Sequence, residues 1–287
     1  MSLNPSQLRA FLAVLDSGGF GAGADSIGVS QSAVSHSVAA LERVLGHPVL
    51  VRGGTPRPTA FGAALVEHAR AAVSAMAAIT DLAAQHSGQP TGVVRLGAPP
   101  SVCQGLLPDL LERWRLALPR VEVRVFEGED DEVSDWLAGG SLEAAVLVDP
   151  KRTGGVLVGA DSFQALLRAD HPLAEVAELG LAELADDPFL LSVGGCERHI
   201  RRVHRRAKVE FAPTHRVREL GTLLAMVRSG VGVSVVPGLV AAMLEPGLVL
   251  VPLREGVSRR LVFTGPADRA WHPAVTAMAA EIGSPGE

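Results

Sequence analysis

Three groups of side chains in this chain have the types and spacing to do chemistry. Gln31, Ser32, Ser35 and His36 form a short polar set directly after Ser30. Side chains of this size, at the N-terminal end of a helix, reach base edges and phosphates in the major groove of duplex DNA. A solvated face of an ordinary helical hairpin would carry the same residues. The second group is Cys103 and Cys196, each near the start of an expected helix, where the backbone favours a thiolate. Arg198, Arg201 and Arg202 follow Cys196 closely. Such thiols suit redox or electrophile sensing or a ligand contact; as small apolar groups they suit packing. Cys196 and His199 share a helix face, with His204 or Cys103 as a further ligand, but zinc sites ask for more ligands at tighter spacing. The third group is a set of expected helix starts. Ser101, Val102 and Cys103 lie at one, Gly195 and Cys196 at another, and Gly221 and Thr222 at a third, with Asp149 closing a strand. Unpaired N–H groups there favour a small anion; no acidic residue is needed to neutralise them, and Glu197 and Glu219 can turn outward along their helices.

No phosphate loop, Gly-x-Ser-x-Gly elbow or His-Glu-x-x-His motif appears. A Cys196/His199 nucleophile pair would leave the first 90 residues without a purpose. Neither an enzyme nor a metal or cofactor protein is expected.

The elements that must position these residues are legible in the pattern. Pro5–Ser17 carries Leu8, Phe11, Leu12 and Leu15 on one helical face. Ala22, Ala24 and Ile27 give a short second helix an apolar inner face, and Gly28 ends it. Ser30 stands as N-cap of a third helix running from Gln31 to Leu45, whose Val34, Val38, Leu41 and Leu45 recur at helical spacing, and Gly46 stops it. An extended run from His47 to Arg52 and the turn Gly53–Pro58 make a β-wing with Arg57 near its tip. From Thr59, a cap residue, a long alanine-rich helix continues to about Gln85. Leu65, Ala69, Ala72, Met76, Ile79 and Ala83 repeat along it in the rhythm of a dimerising coiled coil. At 1.5 Å per residue it spans about 40 Å, more than a small winged domain can cover. His86–Gly92 reads as a hinge. Beyond it strands and helices alternate: strands at 93–98, 121–126 and 144–148, helices at 106–118 and 129–138, then a second set from Phe163. This order implies two α/β lobes with parallel sheets and a ligand cleft between them, joined by crossovers near 161–163 and 265–268.

These motifs resemble the LysR-type transcriptional regulators. The matching words are Leu8-Arg9-Ala10-Phe11, the two-helix core from Ala22 to Leu45, Arg52 before the wing, and Thr59 with Gly62 opening the long helix. In the second part they are Ala98-Pro99-Pro100-Ser101, His171-Pro172-Leu173-Ala174 and Gly230-Val231-Gly232-Val233-Ser234-Val235-Val236-Pro237. The family commonly carries an arginine where His36 stands. The resemblance implies a winged helix-turn-helix over residues 1–58, a linker and dimerisation helix with hinge over 59–90, and a bilobed effector-binding domain over 91–287. Lobe I would comprise 91–161 and 266–287, and lobe II 162–265. It implies sequence-specific binding of double-stranded DNA through Gln31, Ser32, Ser35, His36, Arg52 and Arg57. It also implies a small-molecule inducer in the cleft, homodimers or homotetramers, and contact with RNA polymerase.

Composition agrees with a multi-domain chain. Of 287 residues, 47% are apolar, which allows sizeable cores. No apolar run suits a membrane span or a signal peptide, and two cysteines suggest no disulfide scaffold, so a cytoplasmic location is expected. The formal charge is −5. A DNA module with so little positive charge needs well-placed arginines and duplication by oligomerisation.

Overall fold

The structure, a computed structural model, describes residues 2–51, 53–85, 90–151 and 154–283. The first unit packs three helices, α1 (Pro5–Asp16), α2 (Phe20–Ser26) and α3 (Gln31–Leu45). Asn4 and Gln7 form a capping box at the start of α1, with Pro5 in the first turn, where its missing N–H costs nothing. Phe11, Val14, Val34, Val38 and Leu41 meet in the core they enclose. Gly23 lets α2 cross α1 in contact, since a Cβ there would stand 2.9 Å from the backbone of Ala13 and Val14. Ser30 accepts a hydrogen bond from Ala33 N at 3.2 Å, and Gly46 closes α3 at φ +73°, a left-handed cap. The wing is the antiparallel pair β1 (Leu50–Val51) and β2 (Arg57–Pro58). Thr59 accepts from Gly62 N at 2.9 Å and opens α4 (Ala60–Gln85).

The remainder is two α/β lobes on one curled sheet. Lobe I holds β3 (Gly92–Ala98), α5 (Pro100–Gly105), α6 (Leu107–Ala117), β4 (Val121–Glu127), α7 (Asp130–Ala138) and β5 (Ala144–Val148). The long β6 (Val156–Arg168) then crosses into lobe II. That lobe holds β7 (Phe189–Ser192), α8 (Glu197–Ala207), β8 (His215–Val217), α9 (Leu220–Arg228), β9 (Val233–Pro237) and β10 (Leu248–Pro252). β11 (Ser258–Thr264) returns to lobe I, followed by α10 (Pro273–Gly283). Strand order is β4-β3-β5-β11-β6-β9-β7-β8, with β10 on the far half of β6.

The pairing corrects the expected lobe boundary. β11 runs antiparallel to β5 and to the first half of β6, so it belongs to lobe I. The second crossover therefore lies between Pro252 and Ser258, not near 265–268, and lobe II ends before β11. The sheets are also mixed, because the two crossing strands run against their neighbours. Separate cores fill the lobes: Leu96, Val102, Trp114, Val146 and Phe263 in lobe I, and Phe163, Leu167, Ile200, Val203 and Val251 in lobe II.

The expected dimer seam on α4 divides in two. Leu65 and Ala69 pack into the first unit's core beside Val66 and Val73, and Ala69 is only 1% exposed. Here α4 lies across α1, and Arg70 pairs with Asp16 to hold it there. These two positions are thus not open to a second chain. Ala72, Met76 and Ile79 lie beyond that cover, with Ile79 68% exposed. The side chain of Ala83 lies outside the described residues.

Candidate functional site

The DNA-facing candidates occupy one end of α3. Gln31, Ser32, Ser35 and His36 are all exposed, while Val34 and Val38 behind them are fully buried. The cap shapes this end: the Ser30 hydroxyl takes Ala33 N and lies 2.9 Å from the Ser32 hydroxyl. Gly21 of α2 leaves room beside the Gln31 side chain. Arg57 is exposed on β2, on the wing. Arg52 lies outside the described residues.

The expected effector residues do not converge as one set. Ser101, Gly195 and Cys196 border a gap between the lobes together with Pro99, Pro100, Glu129, Asp130, Ser192, Arg218, Leu220, Val236 and Pro237. Val102 is fully buried in the core of lobe I and does not border the gap. Cys103 packs on the same core, its thiol donating toward Ala98 O at 3.5 Å, and does not border the gap. Gly221 and Thr222 are exposed on α9 away from the gap, because α9 turns its apolar face, with Leu223 and Leu224, onto lobe II. Asp149 faces a different space.

Burial reverses the expected behaviour of the thiols. Desolvation pushes both Cys103 and Cys196 up to about 12, and the positive field of Arg259 only partly offsets this at Cys196. Neither is a thiolate at neutral pH in this arrangement.

Ser101 neither caps α5 nor stands free. It is 4% exposed, and its oxygen accepts from Arg259 Nη2 at 2.9 Å. Arg259, 1% exposed, is bound to Asp161 across the β6–β11 pair, at 2.6 and 3.1 Å. Asp161 also accepts from Leu239 N at 2.9 Å. One buried ion pair therefore ties α5 of lobe I, both crossing strands and the segment after β9. In the sequence the pair shows only as an acid in one strand and a base in another, 98 positions apart.

The gap is also acidic, contrary to expectation. Glu129 Oε2 accepts from Gly195 N at 3.2 Å. Asp130 lies against Gly195 and 3.5 Å from Arg198. A Cβ on Gly194 or Gly195 would collide with these two carboxylates. Burial raises Glu129 and pushes Asp130 up to about 6. Farther out, Glu132 pairs with Arg218 at 2.8 Å. The free volume left beside Cys196 is about 30 Å³, enough to admit a water-sized molecule.

α8 reaches lobe I a second time. Arg198 donates to Val148 O at 2.7 Å, and His199 Nε2 meets Asp149 Oδ2 at 2.8 Å. Asp149 holds a left-handed backbone, φ +46°, and its other oxygen accepts from Arg260 N. His199 is stacked on Phe163, ring centres 5.0 Å apart, and its Nδ1 is buried without a partner. Behind this contact opens a cavity of about 740 Å³, bordered by Asp130, Asp131, Asp149, Lys151, Arg198 and Asp268 among others. Among the described residues no group of three or more His, Cys, Asp or Glu is placed to hold a metal.

An exposed polar helix end beside a wing, joined through a long helix to two lobes with a seam between them, defines a DNA-binding regulator with an effector-binding domain. Residues 5–63 match the bacterial regulatory helix-turn-helix protein of the lysR family, and residues 87–284 match the LysR substrate binding domain. The chain belongs to the LysR family of transcriptional regulators. It is 36% identical over 239 residues to a probable hydrogen peroxide-inducible genes activator of Mycobacterium leprae, covering 80% of this chain and 76% of the relative. It also resembles a full-length OxyR from Pseudomonas aeruginosa carrying a cysteine-to-aspartate substitution. There the TM-score is 0.75 at 25% identity, over 98% of this chain and 95% of that one. The fold of CbnR in complex with its target DNA matches with TM-score 0.70 at 22% identity, over 98% and 99% of the two chains.

Proposed function

We propose that this regulator reads a small oxidant at Cys196 and answers by changing its hold on operator DNA. The observation that carries the reading is the gap at Cys196: it lies between the lobes and its free volume of about 30 Å³ suits a molecule the size of water or hydrogen peroxide. Similarity to a probable hydrogen peroxide-inducible genes activator supports the same class of signal. In the step proposed, the Cys196 sulfur attacks one peroxide oxygen and the O–O bond breaks. The sulfur becomes a sulfenic acid, and the other oxygen leaves as water with the thiol proton. With the lobes closed the thiol holds its proton, so reaction is slow until the seam loosens. Asp130, ionised at neutral pH and bordering the same gap, is placed to take the thiol proton and pass it to the departing hydroxide, which leaves as that water.

DNA contact falls to Gln31, Ser32, Ser35 and His36 in the major groove, with Arg52 and Arg57 on phosphates. Dimerisation falls to the outer half of α4, and a bound regulator of this kind would engage RNA polymerase in the cytoplasm. Among the described residues no helix is long and apolar enough to cross a membrane.

A second reading, an organic effector, is favoured by the cavity of about 740 Å³, within the size range of ligand pockets. Its four aspartates against Lys151 and Arg198 remove the argument for an anion. Footprinting on the upstream intergenic DNA, before and after hydrogen peroxide, decides between them. The expected result is a changed footprint with a 16 Da gain on the Cys196 peptide, both lost in Cys196→Ser. A peroxide response that survives Cys196→Ser overturns the thiol reading.

A further inference from the structure

Most bilobed binding domains close around a molecule that bridges the lobes. Here the bridge is made by the chain itself. Lobe II presents the donor site: the Gly195 N–H ahead of α8, with Arg198 one turn on. Both glycines of the Gly194-Gly195 pair are cleared of side chains where the carboxylates arrive, since a Cβ at either would strike them. Lobe I supplies the acceptors from the first turn of α7. Glu129 takes Gly195 N, Asp130 sits between Gly195 and Arg198, and Glu132 extends the contact to Arg218. We infer that Glu129 and Asp130 are a tethered ligand: they fill the anion site of lobe II from lobe I and hold the lobes closed with no small molecule between them.

The consequence is a direction. A signal acting in this seam does not close open lobes; it expels the tether and opens closed ones. The inference holds whichever molecule brings the signal. Oxygen added to Cys196 in a space of about 30 Å³ crowds Asp130. A molecule in the larger cavity meets the same carboxylate from behind, because Asp130 borders both spaces and its partner Arg198 borders the larger one.

The test measures the distance between lobes in the full-length protein without ligand. Spin labels go on exposed positions of α6 and α9, through Glu112→Cys and Ala225→Cys, in a Cys103→Ser/Cys196→Ser background. Labelled chains are diluted with unlabelled ones so that only distances within a chain are read. The tethered protein should give one narrow distribution. Glu129→Ala/Asp130→Ala should shift and broaden it by several ångströms, and Arg198→Ala, which removes the partner in lobe II, should do the same. Amide exchange in β3 and β5 reports that the fold survives in each. Distributions unchanged in both variants, or a broad, long distribution already present with the tether intact, overturn the inference. No oxidant enters this experiment, so its failure leaves the peroxide reading standing, and the reverse holds too.

Discussion

Single residues in this protein show how position decides between binding and structure. Ser101 has the type of a ligand-binding hydroxyl, yet its oxygen is held by a buried guanidinium. Ser101→Ala would leave a buried Arg259 N–H without its partner, which costs about 1–3 kcal/mol. Urea denaturation should show that loss. A variant as stable as the parent would mean that the Ser101 bond contributes nothing. Arg57 is the opposite case, a charge with no structural duty among the bonds seen, exposed on a two-residue strand. Arg57→Ala should weaken binding to every DNA sequence alike and reduce the slope of log affinity against log salt by about one. Gln31→Ala should instead relax the preference at one base position. Binding isotherms at several salt concentrations separate the two; an unchanged slope for Arg57→Ala would remove the wing from the interface.

At the scale of elements, α4 serves two cores in turn. Its first half, with Leu65 and Ala69, completes the DNA-binding unit, and its outer half exposes Ala72 and Ile79. Ala72→Glu/Ile79→Glu should abolish the dimer and, with it, operator binding, while both lobes stay folded; sedimentation that still shows a dimer would place the interface elsewhere. The helical parts were legible in the sequence because caps and spacing are local. Asn4, Ser30, Thr59 and Gly46 each act within four residues. The heptad rhythm could not tell an internal partner from an external one, since α1 and a second chain both ask for apolar residues at the same spacing. The effector site was far less legible. Val102 and Cys103 sit beside Ser101 in the chain but turn into lobe I, a matter of helix rotation in a six-residue helix with no repeat to set its phase. Glu129, Asp130, Asp161 and Arg259 escaped notice because their partners lie 66, 68, 98 and 158 positions away at most, and nothing local announces such pairs.

The whole molecule stores part of its closure in buried titratable groups whose contributions change with pH in opposing directions. His199 of lobe II faces Asp149, Arg198, Arg259 and the Phe163 ring. Burial lowers its pKa below the ordinary 6.5, and the bond to Asp149 only partly restores it. His204 is lowered too, by burial first. Below 6.5 the unfolded chain therefore binds protons that the native one refuses. This contribution is complete above pH 6.5 and is lost as pH falls through that value. Asp130 works the other way. Its native pKa, about 6, lies above the ordinary 3.8, so the native chain binds the extra proton and stability falls as pH rises between these values. Asp149 is lowered despite its own desolvation, because His199 and Arg260 N bond to it, and its contribution fades only in stronger acid. Melting temperatures at pH 7.5 and pH 5.5 separate the two opposing groups. His199→Gln should lose less stability on acidification than the parent. Asp130→Asn should lose more, since it lacks the group that gains from the added proton. Equal losses in all three would show that neither side chain feels the seam in the way its burial requires.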